Sequence, residues 1–318
     1  MQIGYECVKI KEKEVKVVNI LKSNIIQSND LIRNSQNKID DKLVEIATQK
    51  ASILSVNNKR IILYLISKIQ PFDEELREVK INLYELCSIL NIKPGGMQYR
   101  QIKNELLSLT CQGFCIETKE KVLFANWLDS NFTEIDINNN TITLKLSDRL
   151  KPFLLNLKEN FTSFQLGYTL NFKGKYTYRL YEYLHSFENQ RVYLFPIELF
   201  EEKICDNKYK SITDIERWVL NKAIKEINEF SDITISYRKI KTKRKTTHLY
   251  FEIDTKSDKE KEKIMSKWNF LNQGENINQQ LEMDLVPTTE SLKRKKQIKE
   301  NLIQNNPDFK YLEENGLI

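Results

Sequence analysis

Six of the eight residues from Arg238 to Lys245 are basic and none is acidic; Arg238, Lys239, Lys241, Lys243, Arg244 and Lys245 are broken only by Ile240 and Thr242. A loop kept only for solubility mixes Glu among its lysines, so a run of one sign points to phosphate contact. A plain solvated turn is the alternative. Upstream, Lys208, Tyr209, Lys210, Ser211, Thr213, Arg217, Asn221 and Lys225 are the polar residues just before and along an amphipathic stretch. Residues 217, 221 and 225 stand four apart, opposite an apolar stripe. Arg217 and Asn221 are types that read guanine and adenine edges, whereas Lys208 and Lys210 suit phosphates at a helix entrance. Such a face can also be merely wet.

Other chemistry is poorly supplied. The 318 residues include two histidines, His185 and His248, far apart in the chain, which argues against His-based catalysis or a multi-His metal site. Eight glycines fit neither G-x-x-x-x-G-K-[ST] nor G-x-G-x-x-G. The five cysteines are odd in number and scattered, and read as reduced thiols. Cys111-x-x-x-Cys115 lacks a second Cys/His pair and holds Phe114 between its members, so buried thiols are expected in place of metal ligands. Glu134 with Asp136, and Glu252 with Asp254, alternate onto strand faces and could hold Mg²⁺, but solvent-facing strand positions explain them more simply. No metal or cofactor is expected. His185 reads as a core residue, His248 as facing its hairpin neighbour, and the Tyr/Phe cluster from Tyr176 to Phe187 as core.

Fifty basic against 44 acidic residues give a net charge of +6 and a pI of 8.8. Residues 151–255 carry 18 basic and 14 acidic side chains while the other segments are near neutral, so the positive face belongs to the second half. The longest run of large apolar residues, Ile61 to Ile66, is far short of the ~20 needed to span a bilayer. With no export signal at the amino end, a soluble, cytoplasmic chain without membrane contact is expected.

The periodicity then says what positions these residues. Val56 to Ile69 reads as a helix with Asn57 as cap, followed by a strand, Val79 to Asn82, and helices Leu83 to Leu90 and Met97 to Leu109. A hairpin, Phe114 to Thr118 and Val122 to Trp127, closes the unit. The second half repeats the order: helix Gly174 to Phe187, strand Val192 to Phe195, a helix opened by Pro196, a helix Thr213 to Phe230, and strands Ile233 to Arg238 and Thr246 to Ile253. Glu85-Leu86 and Glu198-Leu199 occupy the same place in the two copies. Between them lies a hairpin, Phe132 to Ile137 and Thr141 to Leu146, and a helix capped at Ser147-Asp148. Ser23 to Lys38 reads as loosely ordered, and the tail beyond Thr255 as a charged helix, Asp258 to Trp268, followed by partly disordered chain with a Lys293 to Lys296 cluster.

Three helices closed by a hairpin make a winged helix, whose last helix enters the major groove while the wing reaches the backbone. The fold class is therefore α+β: two tandem winged-helix domains with a helical, partly disordered C-terminal tail. Boundaries are expected at 1–45 for an N-terminal extension, 46–150 for the first domain, 151–255 for the second and main DNA-binding domain, and 256–318 for the tail.

The chain resembles the initiator replication proteins of plasmids that bind repeated origin sequences (iterons). The resemblance rests on Asn58-Lys59-Arg60-Ile61 with Tyr64-Leu65-Ile66, Ile142 to Ser147, Phe161 to Phe164, Lys175 to Glu182, Ala223 to Asn228, and Ile235-Ser236-Tyr237 leading into the basic run. It covers residues 45–255. It implies a non-enzymatic protein that binds double-stranded origin repeats, recruits host replication proteins such as a helicase or host initiator, and forms a homodimer through the first domain to repress its own gene. It also implies that Lys210, Arg217 and Asn221 lie on the second domain's reading helix and Lys241 to Lys245 on its wing, with Gln98, Arg100 and Lys103 on the corresponding helix of the first. A transcriptional repressor, and a Mg²⁺-dependent primase or nuclease using the acidic strand pairs, remain the alternatives.

Overall fold

The computed structural model describes residues 22–33, 36–39, 42–45, 54–70, 73–92, 96–118, 122–157 and 161–266. The described residues all lie within one compact unit, and the chain from 276 to 318 lies outside the described residues. The expectations for the tail beyond Ser266, including Lys293 to Lys296, therefore lie outside the described residues.

Local chemistry sets the first module. Helix α2 (Val56–Ile66) starts at Ser55, whose hydroxyl accepts from the Asn58 N–H. Asn57 is not the cap; its amide donates to Glu105 at 2.9 Å. Ile61, Ile62, Leu65 and Ile66 are buried, as their spacing requires. Strand β4 (Val79–Asn82) leads into α3 (Leu83–Leu90), capped by Asn82 and ended by Asn91 at φ 58. Helix α4 (Gly96–Cys111) and the strands β5 (Gly113–Thr118) and β6 (Val122–Asn126) complete the unit.

The second module follows the same plan. Helix α6 (Lys175–His185) precedes β10 (Val192–Pro196) and α7 (Ile197–Lys203). The expected long helix is present as α8 (Ile212–Ile215), a π-helical turn Glu216–Leu220, and α9 (Asn221–Phe230). Strands β11 (Ile233–Thr242) and β12 (Lys245–Thr255) pair antiparallel over nearly their whole length, so the wing extends further than the alternation in sequence indicates. Helix α10 (Asp258–Ser266) follows.

Two departures from the sequence reading concern partners distant in the chain. Strand β10 joins its own wing in the order β10-β12-β11, but β4 pairs with β8 (Thr141–Leu144) of the inter-module hairpin, beside β7 (Glu134–Asp136). The first wing instead extends a sheet with β2 (Gln36–Ile39) and β3 (Lys42–Glu45). Likewise the Asn/Ser/Gln-rich stretch is not loose throughout. Strand β1 (Asn24–Ser28) pairs with β9 (Phe161–Gln165), Ile25 is fully buried, and α1 (Asn29–Arg33) follows. Its polar side chains find remote partners: Gln27 donates to Glu182 at 3.0 Å, and Thr162 to Asn29 at 2.5 Å.

The core centres on α6, where Tyr178, Leu180, Tyr181 and Leu184 are almost fully buried. Arg60 of α2 crosses to it, donating to the Tyr178 hydroxyl at 3.2 Å and to the carbonyls of Leu90, Leu170 and Phe172 at 2.6, 2.8 and 3.1 Å. Lys59 pairs with Glu182 at 2.8 Å. At the start of α6, buried Glu226 of α9 accepts from the Lys173 and Gly174 N–H groups, each at 3.1 Å, and from the Thr177 hydroxyl at 2.7 Å. Gly174 is required there, because a Cβ would stand 2.5 Å from the Thr177 oxygen. At the other end Asp232 accepts from the Tyr181 hydroxyl at 2.8 Å and lies 3.2 Å from His185 Nε2.

Replacing Arg60 with Met strands four buried acceptors. An unmade buried hydrogen bond costs about 1–3 kcal/mol, so urea unfolding of this variant should lose at least ~3 kcal/mol. Arg60→Lys should recover only part, since one ammonium cannot span the four acceptors; an unchanged midpoint in Arg60→Met would contradict this role.

The His185–Asp232 contact makes stability depend on pH. Burial pushes the His185 pKa down, but the hydrogen bond and charge of Asp232, with Glu188 beside it, raise it above the usual 6.5. Burial pushes Asp232 up, yet His185 and Tyr181 hold it below the usual 3.8. A raised histidine stabilises fully below its unfolded pKa and loses that contribution as pH rises through the folded value; a lowered carboxylate stabilises above its unfolded pKa and fails in acid. Urea midpoints should therefore fall as pH rises above ~6.5, and His185→Gln should flatten that decline. The same decline in the variant would exclude His185 as its cause.

Candidate nucleic-acid interface

The turn between α7 and α8 is shaped by Asp206 and Asn207, both in the left-handed region at φ 59 and φ 55. It is closed by Ser211, whose hydroxyl accepts from the Asp214 N–H at 3.1 Å and donates to its carboxylate at 2.8 Å. Ser211 is thus a helix cap as well as a residue of the candidate face. Lys208 and Lys210 are exposed on this turn, and Tyr209 between them packs edge-on against Tyr176 at 6.0 Å. Ile215, Val219, Leu220, Ala223 and Ile227 point into the core. Thr213, Arg217, Asn221 and Lys225 are all exposed, so the residues assigned to a reading face share the solvent side of the helix.

The wing is fastened to this helix at two places, at its base by the Asn228 amide, which exchanges hydrogen bonds with the Ile235 backbone, and further out by one carboxylate. Glu216, next to Arg217, accepts from the Tyr237 hydroxyl at 2.9 Å and pairs with Lys239 at 2.8 Å. The Lys239 hydrogen bond, with that of Tyr237 and the charge of Lys241, holds the Glu216 carboxyl below the usual carboxylate range despite some burial. Burial, followed by the hydrogen bond to Glu216, pushes the Tyr237 phenol up to about 12. The cationic hairpin and the Arg217 turn are therefore neighbours, joined by Glu216. Lys239 is engaged in this contact, with its charge already offset by the protein.

Further out, Arg238 stacks over Tyr250, its cross-strand partner, with the guanidinium 4.3 Å from the ring centroid. Lys241 follows a register shift after Ile240, and Lys243 at φ 57 opens the two-residue turn between β11 and β12. Lys241, Lys243, Arg244 and Lys245 are exposed. Lys245 lies 3.8 Å from Glu198, but both side chains are more than 70% exposed, so the pair is weak and leaves Lys245 available.

The first module is differently dressed. Arg100 and Lys103 are exposed on α4, and Gln98 lies in the same helix with its side chain outside the described set. In the same module Leu107 of α4 and Val122 and Phe124 of β6 are 59%, 50% and 77% exposed, large apolar side chains left open to solvent.

Three of the four acidic strand residues, Glu134, Asp136 and Glu252, make local contacts. Asp136 accepts from the Asn138 and Asn139 N–H groups and the Asn139 amide, which close the Asn-rich turn. Glu134 accepts from Thr143, and Glu252 from Ser236. Among the described residues no group of three or more His, Cys, Asp or Glu side chains could hold a metal ion. Cys111 is exposed, contrary to the buried thiol expected, because it sits at the end of α4 on the solvent side; Cys115's side chain is outside the described set. His248 faces its chain neighbour Thr247 at 3.1 Å. Among the described residues no helix is long and apolar enough to cross a membrane.

The sequence reading missed two features: the Glu216 clasp and Trp218. Glu216 is an acid opposite a basic wing, a signal in plain sight, but its register against Tyr237 and Lys239 is tertiary. Trp218 is a large apolar residue on the polar side of the helix stripe, visible as an anomaly in the periodicity. It is 53% exposed, with the Arg217 guanidinium 4.8 Å from its ring centroid.

Comparison with known proteins agrees with the architecture. A family model described as Initiator Replication protein, WH1, matches residues 24–185, and one described as Initiator Rep protein, WH2, matches residues 196–253. A replication initiation protein of Escherichia coli is 23% identical over 154 residues, which cover 46% of this chain and 45% of that protein, so the chain spans less than half of that curated relative. The crystal structure of Pi initiator protein in complex with iteron DNA superposes with a TM-score of 0.58 at 20% identity, over 75% of this chain and 99% of that one, a likeness of fold. With the first model spanning half of the sequence and the second following it in order, the chain belongs to the initiator replication protein family.

Proposed function

We propose that the protein initiates plasmid replication by binding repeated origin sequences in double-stranded DNA, with the second winged helix as the main DNA-binding element. The observation that carries this reading is the Glu216 clasp, which sets an exposed polar helix face beside an exposed cationic hairpin, the arrangement a groove and its flanking phosphates would meet. Lys208, Lys210, Arg238, Lys241, Lys243, Arg244 and Lys245 supply salt-dependent affinity, while Arg217 and Asn221 discriminate bases. Ser211 and Thr213 support the helix entrance. Lys239 acts indirectly by holding the wing. In the first module Gln98, Arg100 and Lys103 make auxiliary contacts, and the exposed apolar side chains Leu107, Val122 and Phe124 suit a homodimer. Recruitment of host replication proteins, repression of its own gene, a cytoplasmic setting and the lack of any catalytic step of its own complete the reading.

Salt dependence tests the wing. Changing Lys241, Arg244 and Lys245 to Ala, with Lys243→Asn to keep a residue that tolerates positive φ, should weaken binding to all duplexes. The slope of log affinity against log salt should fall by up to ~0.9 for each phosphate that the variant no longer neutralises. An unchanged slope would remove the wing from the interface. Arg217→Ala should instead cost about 1–3 kcal/mol on the cognate repeat and little on random DNA. Equal losses on both would make Arg217 a backbone contact. The origin repeat itself is found by footprinting the DNA that flanks the gene; absence of any specific footprint would overturn the function.

A further inference from the structure

The outward face of the reading helix carries one large apolar side chain that the function above does not use, Trp218. Its neighbours Arg217 and Asn221 are polar and exposed, yet the indole is 53% exposed among them. It does not stand alone, for the Arg217 guanidinium lies over its ring at 4.8 Å. Stacking of this kind restricts the long Arg side chain and presents its planar fork in a limited set of directions. Both residues sit in the π-helical turn Glu216–Leu220, and the first residue of that turn is held from outside by Tyr237 and Lys239. The pair is therefore presented on a turn fixed relative to the wing.

In the major groove an Arg fork matches the O6 and N7 of guanine, and the apolar feature a base pair displays there is the thymine methyl group. An indole stacked beside the fork reaches the step next to the guanine. Resting on the DNA-binding reading above, we propose that Trp218 is a specificity-determining residue that takes the 5-methyl group of a thymine adjacent to the guanine read by Arg217, the two side chains acting as one unit.

The test uses the full chain and a duplex that it enriches from a randomised pool, with each thymine replaced in turn by uracil, which removes only the methyl group. One replacement, next to the base pair at which Arg217→Ala loses discrimination, should weaken wild-type binding about fourfold, the worth of one buried methyl. Trp218→Ala should bind the thymine and uracil forms equally, and Trp218→Phe should retain most of the difference. Wild-type binding indifferent to every uracil, or Trp218→Ala still sensitive at the same position, would overturn the proposal while leaving the DNA-binding function intact. A Trp218→Ala variant altered only in self-association would overturn it in favour of a protein contact. If no duplex is enriched, both the proposal and the function fall together.

Discussion

One buried helix, Lys175–His185, holds both halves of the protein in register. The first module grips it through Arg60 on Tyr178 and Lys59 on Glu182, and the second through Glu226 at its start and Asp232 at its end. Charged groups taken out of water are costly unless each is well partnered, and here Arg60, Glu182, Glu226 and Asp232 are each bound more than once. Arg60 has four acceptors, and Glu226 closes the N-terminal turn of the helix with three donors. Because Glu226 and Arg217 belong to one continuous helical stretch, the residue that caps the buried helix also ties the candidate reading face to it. The presentation of Arg217 and Asn221 thus follows from packing on the buried side of the same helical stretch.

The same economy governs the outer surface. The net charge of +6 is modest for 318 residues, so attraction for a polyanion depends on where the cations stand. Lys239 is neutralised by Glu216 and holds the wing in place, whereas Lys241, Lys243, Arg244 and Lys245 project beyond that contact. A screened potential decays over about 10 Å at moderate salt, which makes the clustering of these four residues at one tip more consequential than the overall charge.

Much of this was legible because it is local. The spacing of Ile61, Ile62, Leu65 and Ile66, the stripe Ile215 to Ile227 and the alternation before and after the basic run specify helices and wing from near neighbours alone. The repeated order of elements then points to two winged helices. What stayed hidden depends on partners distant in sequence. Asn24–Ser28 is a strand only because Phe161–Gln165 lies beside it, and β4 leaves its own wing for Thr141–Leu144. Ser55, not Asn57, caps α2, since the helix begins at Val56 and Asn57 lies within its first turn, its amide turned to Glu105. For the candidate site, the exposed residue types were readable, while the Glu216 clasp and the π-helical turn that presents Trp218 were not, since neither leaves a periodic signature.

The central claim, that the second module carries the DNA-facing surface on a fixed scaffold, is tested most directly by hydrogen exchange of the full chain with and without duplex DNA from the region flanking its gene. Slowed exchange across residues 208–225 and 238–245, with Lys175–His185 equally protected in both states, is the expected result. Protection confined to the first module, or opening of the buried helix on binding, would contradict the account.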